Sequence, residues 1–543
     1  MPLTAAQLGV WHAQQLDPAG TAYRGGEYLE IAGPVDASRL EQAVRRTLLE
    51  AETLRARVVD GPDGPRQFIV PVADWTLPVV DLRDEPDPRA AAERAMWREL
   101  RTPVDPGADP LFGCVLFVVA QDRFLWFQHY HHLVGDGFTV AAVARRVSDL
   151  YNEGSAGEGT GGAFLPLAGL IEADAAYRTS DHFAKDRAFW AGQLEGAPVP
   201  ASLSTKAPAP AREKIRRSVT LDSSELKLLR DAARNADVPW PTVVLTAVAV
   251  YLQRIAGTDE VTLGIPVSTR LGRTALHTPG MVSNVLPLRL FLRSGMTTGE
   301  ALRHVSERLR ALMRHQRYRY EDLRRDHGAG MHSPLVGPQV NIMAFGVELT
   351  FDGYPAIVHN LSIGPTDDFS VVVFVGADGT ELRIDLDGNA DRYEEAELIA
   401  HQSRLRHLLE RLGRADGDVP LGRLDVTTPA DARPFADDRG RGPDVRVGCV
   451  SARALRPAGA AHPGRRGADL RRYDPDLRRA ERPRQPLGAP LDPPGRGAGA
   501  LRGPGHAAFG GPRRRPACRT EDRRRLRAHG PLGSGRPTGV HAR

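Results

Sequence analysis

Residues 111–137 read LFGCVLFVVAQDRFLWFQHYHHLVGDG, and this stretch decides the fold. Two apolar runs, residues 111–120 and 124–130, flank a short polar segment, a pattern typical of a β-hairpin of buried strands. Beyond the hairpin, valine and leucine recur at intervals of three and four residues, which predicts an amphipathic helix. The segment His131–Gly137 is therefore predicted to be a loop that leads from a strand into a helix.

Mixed α/β patterning continues to about residue 430. A Gly-rich insert at residues 154–162 and a Pro/Ala/Ser linker at residues 198–212 place a boundary between them. Behind that boundary, apolar periodicity predicts helices at residues 242–255, 298–316 and 393–412 and strands at residues 260–267, 285–292, 370–375 and 381–386. Each half of the chain is therefore expected to be mixed α/β.

The composition excludes several classes of protein. Residues 441–543 hold 24 Arg, no Lys and 8 acidic residues, so residues 1–440 carry a net charge of −11. The three cysteines, Cys114, Cys449 and Cys518, form neither a disulfide framework nor a metal-ligand spacing. The N-terminus lacks a secretory signal pattern, and no run of about 18 apolar residues occurs. We therefore expect a cytoplasmic protein with neither membrane nor nucleic acid as a partner.

The segment His131-His132-Leu-Val-Gly-Asp136-Gly137 resembles the HHxxxDG signature of nonribosomal peptide synthetase condensation domains, which belong to the chloramphenicol acetyltransferase-like superfamily. Epimerisation domains, wax-ester synthases and other acyltransferases share this signature. Further segments resemble the family's other motifs, in the family's order: LTAAQLGVW (3–11), LLEAETLRARV (48–58), GMVSNVLPLR (280–289), RHQRYRYEDL (314–323) and GPQVNIMAF (337–345). Together they span nearly all of residues 1–430, so the chain is identified as a member of the condensation-domain family.

Some positions depart from the family pattern. Arg46 stands where a histidine is usual, Ser283 and Val285 replace more usual residues around Asn284, and Tyr-Arg-Tyr at residues 318–320 replaces a common Pro-Phe. These departures bear on the substrate more than on the family. The opening motif and residues 178–196 look most like siderophore synthetases of the enterobactin synthase F kind.

The resemblance implies two chloramphenicol acetyltransferase-like α/β lobes, residues 1–178 and 179–430, set in a V as a pseudo-dimer. It implies transfer of an acyl or peptidyl group from a carrier-bound thioester to the amine of a carrier-bound aminoacyl thioester, forming an amide. No cofactor is expected to bind the chain, because the 4′-phosphopantetheine arms belong to carrier domains. The expected partners are a donor carrier protein in trans, because the chain opens at the first motif, an acceptor carrier domain and an adenylation domain.

His132 is the candidate catalytic residue. Amide formation from a thioester requires a deprotonated amine, and an imidazole with an ordinary pKa of about 6.5 can accept a proton near neutrality. The resemblance implies that His132 reaches into the tunnel where the substrates meet, as a base or as a positioning group. Gly137 permits a tight backbone and is expected to present an N–H to the developing oxyanion.

The other motif residues are expected to be mainly structural. His131 is predicted to be a buried structural histidine, and Asp136 a loop carboxylate that pairs with an arginine, by resemblance Arg270. Asn284 and Asn341 either line the tunnel or satisfy hydrogen bonds in the core. No metal site is expected, because strand alternation places His129 and His131 on the face opposite His132 and no further ligand is evident.

Two functional alternatives stay open: a free-standing acyltransferase acting on a soluble amine or alcohol, and a degenerate domain that only recruits carriers. The Arg/Gly/Pro-rich tail, residues 431–543, is predicted to be disordered, because it cannot bury enough apolar surface. It is alternatively a linker and adenylation-domain start translated out of frame. Residues 513–531 can be back-translated so that the next frame reads VAALPAGLKTGAAYVPMD, which resembles an early adenylation-domain motif.

Overall fold

The structure is a computed structural model. It describes residues 1–72, 75–156, 163–207, 213–329, 333–343, 348–376, 379–428 and 430–431. Apart from Asp431, the predicted tail and the proposed out-of-frame segment lie outside the described residues.

The helices follow this order along the chain: α1 (Ala5–Leu16), α2 (Ala37–Glu50), α3 (Pro88–Leu100), α4 (Gly137–Ala156), α5 (Leu167–Arg178), α6 (Asp181–Leu194), α7 (Ser223–Asn235), α8 (Pro241–Ala256), α9 (Gly272–His277), α10 (Thr298–Arg314), α11 (Tyr320–Asp326) and α12 (Glu395–Arg414). Short 3-10 turns lie at Glu52–Arg55 and Leu421–Arg423. Capping boxes begin α1, α7, α10 and α12, because the cap side chain and the third helical residue bond each other's backbone N–H.

The strands follow this order: β1 (Arg24–Ala32), β2 (Ala56–Val59), β3 (Arg66–Ile69), β4 (Val79–Asp81), β5 (Phe112–Ala120), β6 (Arg123–His131), β7 (Lys214–Leu221), β8 (Glu260–Val267), β9 (Asn284–Phe291), β10 (Gln339–Met343), β11 (Leu349–Phe351), β12 (Tyr354–Ile363), β13 (Phe369–Val375) and β14 (Leu382–Asn389). The predicted hairpin is confirmed as β5 and β6, which pair antiparallel. The predicted helix after the motif is confirmed as α4.

Two six-stranded sheets organise the chain. The first sheet has the order β11-β12-β1-β6-β5-β4, and the second has the order β7-β14-β13-β10-β8-β9. One core packs under the first sheet around Leu29, Trp126 and α4, and a larger core packs under the second sheet around α8 and α12. A smaller apolar cluster joins α3 to the opposite face of the first sheet. The expectation of two mixed α/β halves is thus confirmed.

Sheet membership does not follow the predicted division at residue 178. β11 and β12 come late in the chain, yet they belong to the first sheet, where β12 pairs antiparallel with β1. Without β12, β1 would expose a row of unpaired backbone groups at an edge. No local pattern indicates this exchange, because most β12 residues are polar or exposed and the partner strand lies more than 300 residues away.

Candidate active site

The HHLVGDG segment connects β6 to α4, as the sequence predicts. The His131 N–H donates to the Leu111 carbonyl and the His132 N–H donates to the Tyr23 carbonyl. The start of the motif thus extends the pairing of β6 with the residues just before β5 and β1. At the other end, the Asp136 carboxylate accepts the backbone N–H of Thr139 at 2.9 Å, which caps the first turn of α4. Both ends of the motif are therefore fixed by backbone hydrogen bonds.

The His131 side chain is buried, and both of its ring nitrogens make hydrogen bonds within the protein. Its Nε2 donates to Gln14 Oε1 at 3.1 Å, and its Nδ1 accepts the Leu133 N–H at 3.2 Å. Burial, together with the charges of His132 and Arg24, lowers the pKa of His131 to about 3. Both ring nitrogens of this neutral imidazole are thus occupied by the protein.

His132 points away from these partners. Its Nε2 lies 3.2 Å from the Ile363 carbonyl oxygen, and its buried Nδ1 has no hydrogen bond of good geometry within the described ranges. Burial lowers the pKa of His132, and the carbonyls of Ile363 and Gly135 and the charge of Asp136 offset this only in part. The imidazole is therefore neutral near pH 7, with Nε2 beside a backbone acceptor.

Gly364 packs directly against the His132 ring. Its φ is +114°, a backbone conformation that side chains other than glycine rarely adopt. A Cβ at this position would lie 2.8 Å from His132 Nε2. The residue after β12 must therefore be small for Nε2 to stay open, and the sequence analysis did not identify it.

Asp136 and Arg270 are in contact, and both are almost fully buried. Arg270 Nη2 donates to Asp136 Oδ1 at 2.9 Å and Oδ2 at 3.1 Å. The carboxylate also accepts the backbone N–H groups of Val282 and Ser283 and the hydroxyl of Thr139. Burial would raise the pKa of Asp136, but the Arg270 charge and the hydrogen bonds of Thr139 hold it below its ordinary value.

Arg270 also ties this ion pair to its own loop. Its guanidinium donates to the carbonyl oxygens of Ala275, Thr278 and Gly280, and it lies over the ring of Phe138. The carboxylate of Asp136 therefore joins the start of α4 to the connection between β8 and β9, so that two loops from different sheets form one unit.

Gly137 is the first residue of α4 and retains accessible surface. A Cβ at this position would lie 3.1 Å from the Met343 methyl group, so β10 approaches the start of α4 closely. Because side chains alternate along a strand, Asn341 shares a face of β10 with Met343, while Val340 and Ile342 pack into the second core. Asn341 thus lies on the side of β10 that approaches the motif.

Asn284 is used differently. Its Nδ2 donates to the carbonyl oxygens of Gln316 and Tyr318, and its Oδ1 accepts the Tyr320 N–H. Its side chain is buried, and its amide is occupied by the backbone of the RHQRYRYEDL segment. In the structure, the Asn284 side chain therefore makes hydrogen bonds in the core, which is one of the two predicted alternatives.

Tyr23 and Tyr130 complete the surroundings of His132, and the sequence analysis did not identify them as site residues. Both rings meet the His132 ring edge-on, at centroid distances of 6.4 Å for Tyr23 and 5.4 Å for Tyr130. Burial raises the pKa of each phenol, so both stay neutral. A continuously buried strand such as β6 gives no sign that Tyr130 lies beside the motif rather than in the core.

Within the described ranges, no cluster of three or more His, Cys, Asp and Glu side chains is arranged to hold a metal ion. His129 is held by Arg24, whose Nη2 lies 2.9 Å from its Nδ1, and its Nε2 lies 3.7 Å from Glu99. In the same part of the chain, no helix is both long enough and apolar enough to cross a bilayer.

Several known proteins are similar to this chain. A family model described as Condensation domain matches residues 1–434. The chain is 40% identical over 429 residues to a dimodular nonribosomal peptide synthase of Bacillus subtilis (strain 168), covering 79% of this chain and 18% of that protein. It is 34% identical over 440 residues to enterobactin synthase component F of Escherichia coli (strain K12), covering 79% of this chain and 34% of that protein. The chain thus spans a fifth to a third of these relatives' length.

A solved structure is also similar. It is a variant of the starter condensation domain of rhizomide synthetase RzmA in complex with C8-CoA and Leu-SNAC, with a TM-score of 0.73 and 36% identity. The match covers 78% of this chain and 96% of that one. The predicted fold class and the predicted resemblance to siderophore synthetases are both confirmed by these similarities.

Proposed function

The chain belongs to the condensation-domain family of nonribosomal peptide synthetases, acyltransferases that form amide bonds, and we propose that His132 and Gly137 carry this reaction here. The donor is an acyl or peptidyl thioester on one carrier, and the acceptor is the amine of an aminoacyl thioester on another. The 4′-phosphopantetheine arms of the carriers supply both thiols, so the reaction consumes no cofactor bound by this chain.

The placement of His132 Nε2 is the observation that carries the proposal. Nε2 and the Ile363 carbonyl oxygen are 3.2 Å apart, so a primary amine beside them, within hydrogen-bond distance of both, can donate one hydrogen to each. With its pKa lowered by burial, His132 is neutral at pH 7 and its Nε2 can accept a proton when Nδ1 carries the hydrogen. The carbonyls of Ile363 and Gly135 both raise the pKa of His132, which offsets part of the effect of burial.

The bond changes follow from this arrangement. The amine nitrogen attacks the thioester carbonyl carbon, and a C–N bond forms as the carbonyl oxygen becomes an oxyanion. His132 Nε2 takes the proton that the nitrogen loses. The C–S bond then breaks, and the proton passes to the leaving thiolate, so that the products are an amide and a free thiol. Proton transfer of this kind contributes about 10²- to 10⁴-fold to a rate.

The oxyanion needs a donor, and the start of α4 offers one. Gly137 is the first residue of α4, where backbone N–H groups have no partner within the helix and the helix dipole is positive. An oxyanion near this N–H gains an electrostatic interaction that is strong in a site enclosed by protein. The Asp136–Arg270 ion pair acts by positioning, because it fixes the turn from which Gly137 and His132 both project.

The partners follow from the same chemistry. A donor carrier in trans, an acceptor carrier domain and an adenylation domain that loads it would supply the two thioesters. The tail beyond Asp431 lies outside the described residues, so an adenylation domain encoded after residue 430 stays a hypothesis that resequencing of the coding DNA over codons 425–543 tests.

Single-turnover transfer between loaded carriers tests the proposal. The full chain is mixed with an octanoyl or benzoyl donor carrier and a leucyl or glycyl acceptor carrier, and the product on the acceptor is read by mass spectrometry. We expect an amide on the acceptor carrier. Product only on soluble amines or alcohols would instead indicate a free-standing acyltransferase, and binding of both carriers without transfer would indicate a recruiting domain.

A further inference from the structure

A row of polar side chains crosses the first sheet below His132. Glu27 on β1 pairs with Gln128 on β6 and with Asn360 on β12, and we call these three residues the polar row. Directly opposed residues of neighbouring strands place their side chains on the same face of a sheet. Leu29, two residues after Glu27, belongs to the apolar core, so the polar row lies at the margin of that core.

The polar row has hydrogen-bond acceptors without donors. Gln128 is fully buried, and its Nε2 donates to Glu27 Oε1 at 3.0 Å. Gln128 Oε1 and the buried Oδ1 of Asn360 have no hydrogen-bond partner among the described residues. Burial raises the pKa of Glu27 to about 7, and the Gln128 hydrogen bond lowers it only in part. Because unpartnered buried acceptors are costly, this site favours a bound hydrogen-bond donor.

Contacts connect the polar row to His132. The Tyr130 ring meets the His132 ring edge-on at 5.4 Å, and the charge of Glu27 raises the pKa of Tyr130. The same phenol lies across Gly25, where a Cβ would come within 2.4 Å of the Tyr130 Cζ. Tyr130 therefore forms the surface between the reacting centre and Glu27.

The partial exposure of enclosed side chains between His132 and Glu27 indicates an internal recess there. Burial is the first cause of the pKa shifts of Tyr23, Glu27 and His132, so protein surrounds all three, yet each keeps accessible surface. In the register of β1 and β6, His132 lies opposite Tyr23, four residues before Glu27. Four residues correspond to about 13 Å along a strand. A substrate group that extends from His132 along the strands would have to span this distance to reach Glu27.

We propose that the polar row binds a hydroxyl group of a substrate, so that the reaction prefers a hydroxyl-bearing acyl group or acceptor side chain over its deoxy counterpart. This inference rests on the proposed function of His132. Glu27 and Asn360 are partly exposed, so a hydroxyl that enters beside them can accept from the protonated form of Glu27. The same hydroxyl can donate to Asn360 Oδ1 or Gln128 Oε1 once that side chain turns toward it. A partly protonated carboxyl suits an ammonium group less well than a neutral hydroxyl.

Matched substrate pairs test the inference and separate its two sources. Donor pantetheine thioesters of salicylate and benzoate differ in one hydroxyl, and acceptor threonyl and valyl thioesters differ in the exchange of a methyl for a hydroxyl. We expect the full chain to prefer the hydroxylated member of one pair by 10-fold or more in kcat/KM. We expect Gln128→Met to reduce that preference below 3-fold by slowing the hydroxylated substrate.

Gln253→Met is the matched control. Gln253 on α8 is also buried with an unpartnered Oε1, but it lies in the second lobe, away from the polar row. This variant should keep the wild-type preference. Equal rates within both substrate pairs for the wild-type chain, or a preference that Gln128→Met leaves unchanged, would overturn the inference.

Equilibrium binding separates failure of the inference from failure of the proposed function. Unreactive amide analogues of salicyloyl- and benzoyl-pantetheine, and of the threonyl and valyl acceptors, are titrated by calorimetry. Binding of a hydroxylated analogue 10-fold or more tightly, lost in Gln128→Met, supports the polar row even when no transfer occurs. Transfer without any such difference in binding or rate supports His132 chemistry and removes the role of the polar row.

Discussion

His132 and His131 are adjacent, yet their surroundings give them different chemistry. His131 has both ring nitrogens engaged by Gln14 and Leu133, and its low pKa keeps it neutral. His132 instead places Nε2 beside the Ile363 carbonyl, against a glycine that leaves the ring edge uncovered. At the scale of one residue, the proposed reaction therefore depends on the space around Nε2 as much as on the imidazole itself.

Gly364→Ala tests that space. The new methyl group would lie 2.8 Å from His132 Nε2, so we expect the single-turnover rate to fall at least 10-fold. Alanine at a φ of +114° should also lower the free energy of unfolding by about 1–3 kcal/mol. Gly353→Ala is the control, because its φ is +80° and a Cβ there contacts nothing within 4 Å.

Gly353→Ala should reproduce the loss of stability in denaturant unfolding while keeping the transfer rate. If both variants slow transfer equally, backbone strain and not crowding of Nε2 would explain the effect, and the requirement for a small residue after β12 would be wrong.

At the scale of elements, the start of α4 is fastened to the connection between β8 and β9. Asp136 belongs to the first of these loops and Arg270 to the second, and the guanidinium also bonds three carbonyl oxygens of its own loop. Because the pair is buried, removing one partner leaves the other charge uncompensated. The position of Gly137 thus depends on a residue more than 130 positions away.

A double-mutant cycle tests whether the Asp136–Arg270 ion pair stabilises the fold. Asp136→Asn and Arg270→Gln alone should each lower the free energy of unfolding by about 3–5 kcal/mol, because a buried charge loses its partner. The double variant should lose less than the sum, since neither charge remains, giving a coupling of about 0.5–3 kcal/mol. The exposed pair Glu410 and Arg414 on α12 is the control, with a coupling of about 0.3–0.5 kcal/mol. Additive losses at Asp136 and Arg270 would contradict the account.

The sequence predicted the elements whose signals are local. The β5–β6 hairpin, α4, α8 and β8 all carry continuous apolar runs or clear helical periodicity, and their observed bounds lie within a few residues of those predicted. The motif residues His132, Asp136 and Arg270 could be named because the family resemblance supplied them. These features need no knowledge of distant pairing.

Features that depend on distant pairing were missed. β12 carries a half-exposed, partly polar pattern, so neither its place beside β1 nor the approach of Gly364 to His132 could be predicted. The polar row exists only because cross-strand register brings Glu27, Gln128 and Asn360 together. For Asn284, the motif allowed a place in the substrate tunnel, but its side-chain amide donates to the backbone carbonyls of Gln316 and Tyr318.

At the scale of the whole molecule, the described residues bring two sheets together around His132, the centre at which we propose that the reaction occurs. The first sheet supplies Tyr130, the end of β6 leads to His132, and the end of β12 supplies the Ile363 carbonyl. The second sheet supplies Met343, and the loop after β8 supplies Arg270. Neither lobe contains the complete set. The central claim is therefore that this assembled centre, acting through a neutral His132, forms the amide.

The pH dependence of single-turnover transfer by wild-type chain, His132→Ala and the exposed control His12→Ala tests that claim most directly. Protonation of the acceptor α-amine should slow every variant below about pH 8. Because the pKa of His132 is lowered and its neutral form is the active one, the wild-type chain should show a second acid limb, below about pH 6.5, that comes from His132. His132→Ala should be slower by about 10²- to 10⁴-fold and should lose this acid limb, while His12→Ala keeps both rate and limb. Transfer by His132→Ala within threefold of wild type, with the limb intact, would contradict the account.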